Sequence, residues 1–215
     1  MSRSMARIAA CGAGVAALLL LLARVCAAEA QEGRVVGHVI QQRGPVIGLR
    51  QAEPRVLVLG APLFVGDRVL TGRESGVKIE LLDGSAFSVG AGSEVAVVEF
   101  VFDADGYGVR GLLSLPRGIV RVGLAGHPWG RGFEIRTQAA VVSAHATDWV
   151  TEARAQRTSV FVVAGRVAVA PAGGGASVVL ERHRGTDIEA GRPPSPPARW
   201  SVLRAADALA RTRVP

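Results

Sequence analysis

Three side chains in one short stretch have the chemistry of a hydrolytic triad: Ser143, His145 and Asp148. Ser143 and His145 are two residues apart, so on a strand they point to the same face, with Asp148 close by in sequence. Working triads bring their groups together from separate elements and hold the nucleophile in a strained turn. Nothing of that kind surrounds Ser143. The sequence therefore predicts polar residues on a solvent-facing strand and no catalytic residue.

Carboxylates and histidines provide the other candidates. Asp103 and Asp105, before Gly106, resemble the start of a calcium loop, but the later oxygen ligands and the glutamate do not follow, which favours a hairpin turn. Asp67 and Asp83 could form a carboxylate pair for glycoside hydrolysis, yet each lies in a turn that gives Asp a structural role. The histidines lack metal-ligand spacing: His38, His127, His145 and His183. We predict no metal, no cofactor and no enzyme.

The elements that must position these residues are short strands joined by turns. Asp83-Gly84 stands between alternating apolar and polar residues, which predicts a hairpin with a type I′ turn. The alternation points Val77, Ile79 and Leu81 to one face. Gly66-Asp67 predicts a second tight turn, in which glycine supplies backbone freedom and Asp bonds back to the main chain.

A glycine followed by alternating valines recurs along the chain. Gly118 and Gly165 each begin a G-x-V-x-V pattern, and Gly76 begins a looser copy. Many short strands with glycine corners and no helical period predict an all-β fold: a small β-roll, a short solenoid-like domain or a sandwich. The predicted strands are 35–40, 55–59, 94–102, 108–115, 131–137, 139–144, 149–152, 159–163 and 177–181.

These motifs, taken in order, resemble the FecR domain family. The matching segments are Leu63–Gly72 with its Gly-Asp turn, the strand into Asp83-Gly84-Ser85, Gly118–Val122, Phe133–Val141, Ala146–Val150 and Val163–Val169. Ala146 departs from the family pattern, which usually has glycine before Thr147. The resemblance assigns structural turn or motif roles to Gly66, Asp67, Asp83, Gly84, Gly118, Thr147 and Gly165.

The resemblance implies a small β-rich roll that binds another component of the cell envelope. In well-known members the domain lies in the periplasm and passes a signal from an outer-membrane ferric-siderophore receptor to a sigma factor. The expected function here is a freestanding, non-enzymatic envelope interaction module with a protein or envelope partner. The alternatives are a periplasmic regulator of such sigma-factor signalling that acts through another transmembrane protein, and an enzyme on cell-wall or polysaccharide substrates.

The first thirty residues have the features of a signal peptide. Arg3 and Arg7 precede an apolar run with the leucine block Leu18–Leu22, and Ala28-Glu29-Ala30 is a small-x-small cleavage site. This predicts a periplasmic or secreted protein exported by the general route, with an uncleaved inner-membrane anchor as the alternative. Both cysteines, Cys11 and Cys26, lie in this leader, so the mature chain would have no disulfide.

The chain carries a formal net charge of +7, almost wholly through arginine, and Lys78 is its one lysine. Arginine codon preference of a GC-rich genome explains much of this bias, and an anionic partner surface is the alternative. The arginines are scattered and do not alternate with aromatic residues, so we expect no nucleic-acid partner and no small-molecule substrate.

The sequence divides into a signal peptide (1–30), a FecR-like β domain (31–190), a proline-rich linker (191–198) and an amphipathic helix (199–211). Trp200, Leu203, Ala206 and Leu209 recur near helical spacing and predict one apolar stripe on that helix. Such a short helix must dock on its own domain, on a partner or on a membrane. Trp129 lies in a glycine-flanked loop. Trp129, Trp200 and Leu203 are therefore the candidate partner-binding residues.

We expect the leader to be removed on export, so that the mature protein begins at or near Gln31. N-terminal sequencing or intact-mass measurement of the exported protein checks this. A stable full-length species in the inner membrane would contradict it and would support the uncleaved anchor.

Overall fold

The computed structural model describes residues 33–125, 129–130 and 132–215. The predicted signal peptide, with both cysteines, and His127 and Arg131 lie outside the described residues. The described residues form β1 (Val35–Arg43), β2 (Val46–Arg50), β3 (Glu53–Val56), β4 (Pro62–Phe64), β5 (Arg68–Thr71), β6 (Gly76–Leu81), β7 (Ala86–Val89), β8 (Glu94–Phe102), β9 (Gly108–Gly123), β10 (Phe133–Arg136), β11 (Ala140–Ala144), β12 (Asp148–Arg154), β13 (Arg157–Ala164), β14 (Arg166–Pro171), β15 (Val178–Glu181), β16 (Arg184–Glu189), β17 (Ala198–Arg199) and α1 (Val202–Arg211).

The strands pair into two sheets that share β9. Sheet I runs β4-β1-β6-β7-β9-β12-β13-β16-β17, and sheet II runs β3-β2-β5-β8-β9-β10-β11-β14-β15. All of these pairings are antiparallel except β9 with β10. A single buried cluster takes residues from both sheets, so the sheets pack face to face. The prediction of an all-β fold with one short C-terminal helix is confirmed.

Strand β9 passes from one sheet to the other in its middle. Its first part, through Arg117, pairs with β8 in sheet II, and the part from Gly118 onward pairs with β12 in sheet I. The sequence predicted a strand over 108–115 and a separate strand after a glycine corner at Gly118. The structure has one strand of 16 residues, because Pro116 is exposed and the turn of the chain is absorbed at Gly118, whose φ is +99°.

A buried network of hydrogen bonds holds this crossing in place. The Thr71 hydroxyl donates to the carbonyl oxygen of Gly90 (2.6 Å) and accepts from the backbone N–H of Ser93 (2.9 Å). The Ser93 hydroxyl then accepts from the N–H of Ile119 (2.9 Å), one residue after the corner. Gly118 packs against Ser93 so closely that a Cβ there would lie 2.4 Å from the Ser93 Cα. Three parts of the chain are thereby joined where both sheets meet.

The predicted repeat of a glycine corner followed by a strand is present in the structure. At Gly165 (φ +81°) the chain leaves β13 in sheet I and enters β14 in sheet II. The Thr147 hydroxyl donates to the carbonyl oxygen of Arg166 (2.9 Å) beside this corner. Gly76, in the looser copy, begins β6 where the chain passes from sheet II to sheet I. Glycine at these positions therefore lies where the chain passes from one sheet to the other.

The two predicted turns differ in their geometry. Of the residues in the Asp83-Gly84 turn, only Gly84 has positive φ (+80°), so the prediction of a type I′ turn is wrong. The Gly84 N–H donates to the carbonyl oxygen of Leu81 (3.0 Å), the pattern of a turn closed by a glycine bulge. The Asp83 carboxylate accepts from the backbone N–H and from the hydroxyl of Ser85, both at 3.0 Å.

The Gly66-Asp67 turn contains a fully buried carboxylate. Gly66 has φ +90°, and Asp67 accepts a hydrogen bond from the N–H of Phe64 (3.0 Å). Arg55 pairs with the same carboxylate, so the buried charge is compensated. The strand predicted over 55–59 is instead β3, Glu53–Val56, because Leu57 turns into the core and the chain leaves the sheet after Val56.

We expect Gly118→Ala to lower the free energy of unfolding by about 2–4 kcal/mol. Alanine is strained at the positive φ of this position, and its Cβ would clash with Ser93. Urea denaturation measures this change. Gly123→Ala on the same strand is the control, since a Cβ there would meet no atom within 4 Å. Equal stability of the two variants would contradict the role given to the crossing.

Candidate functional site

The outer face of sheet I carries apolar residues flanked by acidic ones. Ile119, Val150 and Phe161 are buried, although they point away from the core between the sheets. Register places Val150 beside Arg121 on β9 and beside Phe161 on β13. Side chains alternate along each strand, so the residues that lie between the core positions form this outer face. Buried apolar residues on an outer face require a covering element.

Helix α1 covers this face. Ser201 begins the helix, with its hydroxyl accepting from the N–H of Arg204 (3.2 Å), and Thr212 follows its end. Ala208 packs with Ile119 and Val150 in a small apolar cluster, and it is 4% exposed. Alanine at the contact lets the helix lie close to the sheet.

Arginines at both ends of the helix pair with carboxylates of the sheet. Arg204 donates to both oxygens of Asp187 (2.6 and 3.1 Å), which also pairs with Arg157. Arg211 donates to Glu152 (2.7 Å), which also pairs with Arg154. Each carboxylate therefore joins one arginine of the sheet to one arginine of the helix.

These contacts shift the acidity of the carboxylates. Burial by itself would raise the pKa of Glu152, but hydrogen bonds from Arg211 and Arg154 outweigh it, and the pKa lies below its ordinary value. For Asp187 burial is likewise outweighed, by bonds from Arg204, Ser159 and Arg157, so its pKa is also lowered. Groups with a lowered native pKa stabilise the fold above their unfolded pKa, and this stability is lost as the pH falls through the native value.

Trp200 anchors the segment just before the helix. Its ring stacks on Phe161 with centroids 5.0 Å apart and an interplanar angle of 20°. The Arg204 guanidinium lies over the other face of the ring, 3.7 Å from its centroid. Gly185 leaves room for this ring, since a Cβ there would lie 2.3 Å from the Trp200 Nε1. Trp200 is therefore half-buried against its own domain.

The predicted apolar stripe is divided between the domain and solvent: Trp200 and Leu209 pack against the sheet, whereas Leu203 and Ala206 are exposed. The helix region also buries or half-buries Ala205, Ala208, Arg211 and Thr212. Leu203 is 83% exposed and Val202 is 84% exposed. We call the exposed residues Val202, Leu203 and Ala206 the outer helix stripe. A cavity of about 400 Å³ lies beside it, lined in part by Phe161, Val163 and Trp200.

Trp129 is a core residue, so its assignment as an exposed partner contact is wrong. It is 1% exposed, and its ring packs edge-on against Phe100, Phe102 and Phe133. Added Cβ atoms at Gly108 and Gly111 would lie 2.2 and 2.7 Å from this ring. Gly108 and Gly111 of β9 therefore leave the space that this buried ring occupies.

Several of the candidate catalytic and metal-binding residues have structural partners. Asp148 pairs through both oxygens with Arg121 (2.8 and 2.6 Å), and His145 Nδ1 donates to the carbonyl oxygen of Trp129 (2.8 Å). Asp103 accepts from the N–H groups of Asp105 and Tyr107, as in a hairpin turn. Within the described part of the chain, no group of acidic, histidine or cysteine residues is arranged to hold a metal ion.

Comparisons with known proteins agree with the resemblance to the FecR family that the motifs indicated. Residues 67–168 match the family model described as FecR protein. No curated protein matches the sequence. Across the described residues, no helix is both long and apolar enough to cross a bilayer.

Two crystal structures of a candidate anti-sigma factor from Parabacteroides distasonis ATCC 8503 have a similar fold. Each superposes with a TM-score of 0.52 at 14% identity over 66% of this chain. The alignment spans 64% of one of those chains and 63% of the other. At this identity the likeness describes the fold of the β domain.

We expect Ala208→Asp to undock the helix and to lower the free energy of unfolding by about 1–3 kcal/mol, since it places a charge against Ile119 and Val150. Ala206→Asp is the matched control on the outer side of the same helix, with an expected change of about 0.5 kcal/mol. Urea denaturation, with proteolysis of the helix as a second readout, checks the pair. Equal effects would contradict the docking geometry.

Proposed function

We propose that this protein is a non-enzymatic, envelope-located interaction module that acts as a regulator in sigma-factor signalling. The FecR domain and the fold shared with a candidate anti-sigma factor support the regulatory role. The role requires transfer of a signal to another protein that spans the inner membrane. The partner is therefore a protein, and it binds the mature chain outside the cytoplasm.

The outer helix stripe is the surface that we assign to this partner. The observation that carries the assignment is the exposure of Val202 and Leu203, at 84% and 83%, on a helix whose opposite side already contacts the sheet. Large exposed aliphatic side chains beside an apolar cavity are typical of protein interfaces. Trp200, half-buried at the edge of the cavity, presents an apolar ring next to the stripe.

The contacts of the helix explain how the stripe could be presented to a partner. Arg204 and Arg211 fix the helix at both ends, so its outer residues are held in one orientation. Preorganised side chains lose less conformational entropy on binding than mobile ones do. Asp148 and His145, two of the side chains considered for catalysis, are held in the structural contacts described above, and this supports a non-enzymatic role.

The experiment deletes the gene in its native host and restores it as wild type, Leu203→Asp or Val179→Asp. Val179 is a control on β15 in sheet II and is 56% exposed. We expect deletion to change the transcripts of one sigma-factor-dependent set of genes. Wild type and Val179→Asp should restore them, whereas Leu203→Asp should not, although it melts at the same temperature.

Two results would contradict the proposal separately. Full restoration by Leu203→Asp would exclude the outer helix stripe as the contact surface. Unchanged transcripts after deletion would exclude the regulatory role.

A further inference from the structure

A second surface lies on the outer face of sheet I, beside the end of helix α1. Two adjoining cavities of about 270 and 640 Å³ share Arg121 and Arg213 in their walls. Lys78 lines the first cavity and Arg43 lines the second. We call the surface formed by Arg43, Lys78, Arg121 and Arg213 the basic groove.

The strand register brings part of this groove together. Lys78 on β6 is paired with Gln41 on β1 and with Ser88 on β7, and Ser88 is paired with Arg121 on β9. These residues therefore form a row across neighbouring strands. Adjacent strands are about 4.8 Å apart, so Lys78 and Arg121 project from the sheet about 10 Å from each other. Gln41 and Ser88 add neutral hydrogen-bonding groups to the row.

The positive charge of the groove is not compensated by the fold. Four cationic side chains face one lining carboxylate, Asp148, an excess of three positive charges. Both oxygens of Asp148 are occupied by Arg121. Among the described residues, Lys78 and Arg213 form no side-chain hydrogen bond or ion pair, and Arg43 donates to the backbone carbonyl of Glu74 (3.2 Å).

Other carboxylates of the same face are already engaged. Glu152 and Asp187 each pair with two arginines, as described above. Glu80, two residues from Lys78 on the same face of β6, lies beyond ion-pair distance of it. Many other arginines of the described chain have a carboxylate partner, for example Arg55 and Arg110. In the groove Asp148 therefore neutralises Arg121, whereas Arg43, Lys78 and Arg213 have no carboxylate partner among the described residues.

The shape and lining of the groove indicate what kind of anion it receives. The larger cavity continues onto Ala206, Leu209 and Ala210 of the helix, so cations and apolar groups share its walls. The cations lie along a depression, which an extended or helical segment can enter and a flat membrane cannot. None of the described lining residues is aromatic, so there is no platform on which nucleic-acid bases could stack.

We propose that the basic groove binds the carboxylates of an acidic segment of the protein partner. This inference rests on the proposed function, because it gives the chemistry of the partner that contacts the adjacent outer helix stripe. Ala206 belongs to the stripe and also lines the groove, so one partner segment can contact both. Apolar residues of that segment would cover the helix while its carboxylates pair with Arg43, Lys78 and Arg213.

The test uses a fluorescently labelled peptide of ten glutamates, a peptide of ten glutamines, inorganic phosphate and vesicles that contain anionic lipid. Anisotropy with the purified mature protein should show binding of the glutamate peptide that weakens as salt is added. Lys78→Glu combined with Arg213→Glu should weaken it by at least about tenfold, the loss of two charge-assisted contacts. The control combines Arg166→Glu with Arg182→Glu, which changes the net charge equally at exposed positions on β14 and after β15.

The other ligands in the test show whether the groove prefers an acidic peptide to other anions. Glutamine peptide, phosphate and vesicles should bind wild type at least about tenfold more weakly than the glutamate peptide. Equal binding of the glutamate peptide to both double variants would overturn the proposal, because it would reflect net charge alone. Preferential binding of phosphate or vesicles would overturn it in favour of that ligand. Leu203→Asp should leave peptide binding intact, so failure of the proposed function and failure of this inference are distinguishable.

Discussion

The hydrogen bonds that Thr71 and Ser93 make inside the domain are the interaction on which the rest of the structure depends. They satisfy backbone groups of Gly90, Ser93 and Ile119 at the point where neither sheet can supply a regular partner. Unpaired backbone groups in a buried position would destabilise the fold, so a crossing strand requires such hydroxyl groups. Thr71 lies in the segment Leu63–Gly72, which resembles the FecR family. These hydrogen bonds give a structural reason for a threonine at this position.

The outer face of sheet I follows from this arrangement. β9 enters sheet I at Gly118. After this point, the side chains of Ile119 and Arg121 point away from the core and lie beside Val150 and Asp148 of β12. Apolar residues there are covered by α1, and the acidic residues are paired with arginines. The helix uses Ala208 and two arginines for its own attachment, so Val202 and Leu203 remain on the solvent side. The same helix thereby contributes to stability and presents a surface.

Local patterns predicted local features well. The alternation of Val77, Ile79 and Leu81 places these residues in the core, and the hairpin between β8 and β9 pairs across Asp103–Gly106 as the sequence indicated. Glycine corners at Gly118 and Gly165 were recognised from their spacing alone. These features depend on backbone conformation and on alternation, which a single sequence records directly.

Features that depend on distant contacts could not be predicted in the same way. Trp129 stands among glycines in the sequence, and only the fold brings Phe100 and Phe133 against it. The apolar spacing of α1 did not predict that Arg204 and Arg211 would pair with carboxylates on separate strands. The basic groove joins Arg43, Lys78 and Arg213 from well-separated parts of the chain, and no local pattern marks their meeting.

The shared strand β9 also has a mechanical consequence. In a sandwich of two independent sheets, the layers can slide over each other by repacking side chains. Here one covalent strand of 16 residues runs through both layers, so a sliding motion would have to stretch or break its hydrogen bonds to β8 or to β12. The layers should therefore behave as a stiff block, and a force applied at the helix side would reach the edges of sheet II without being absorbed by internal shear.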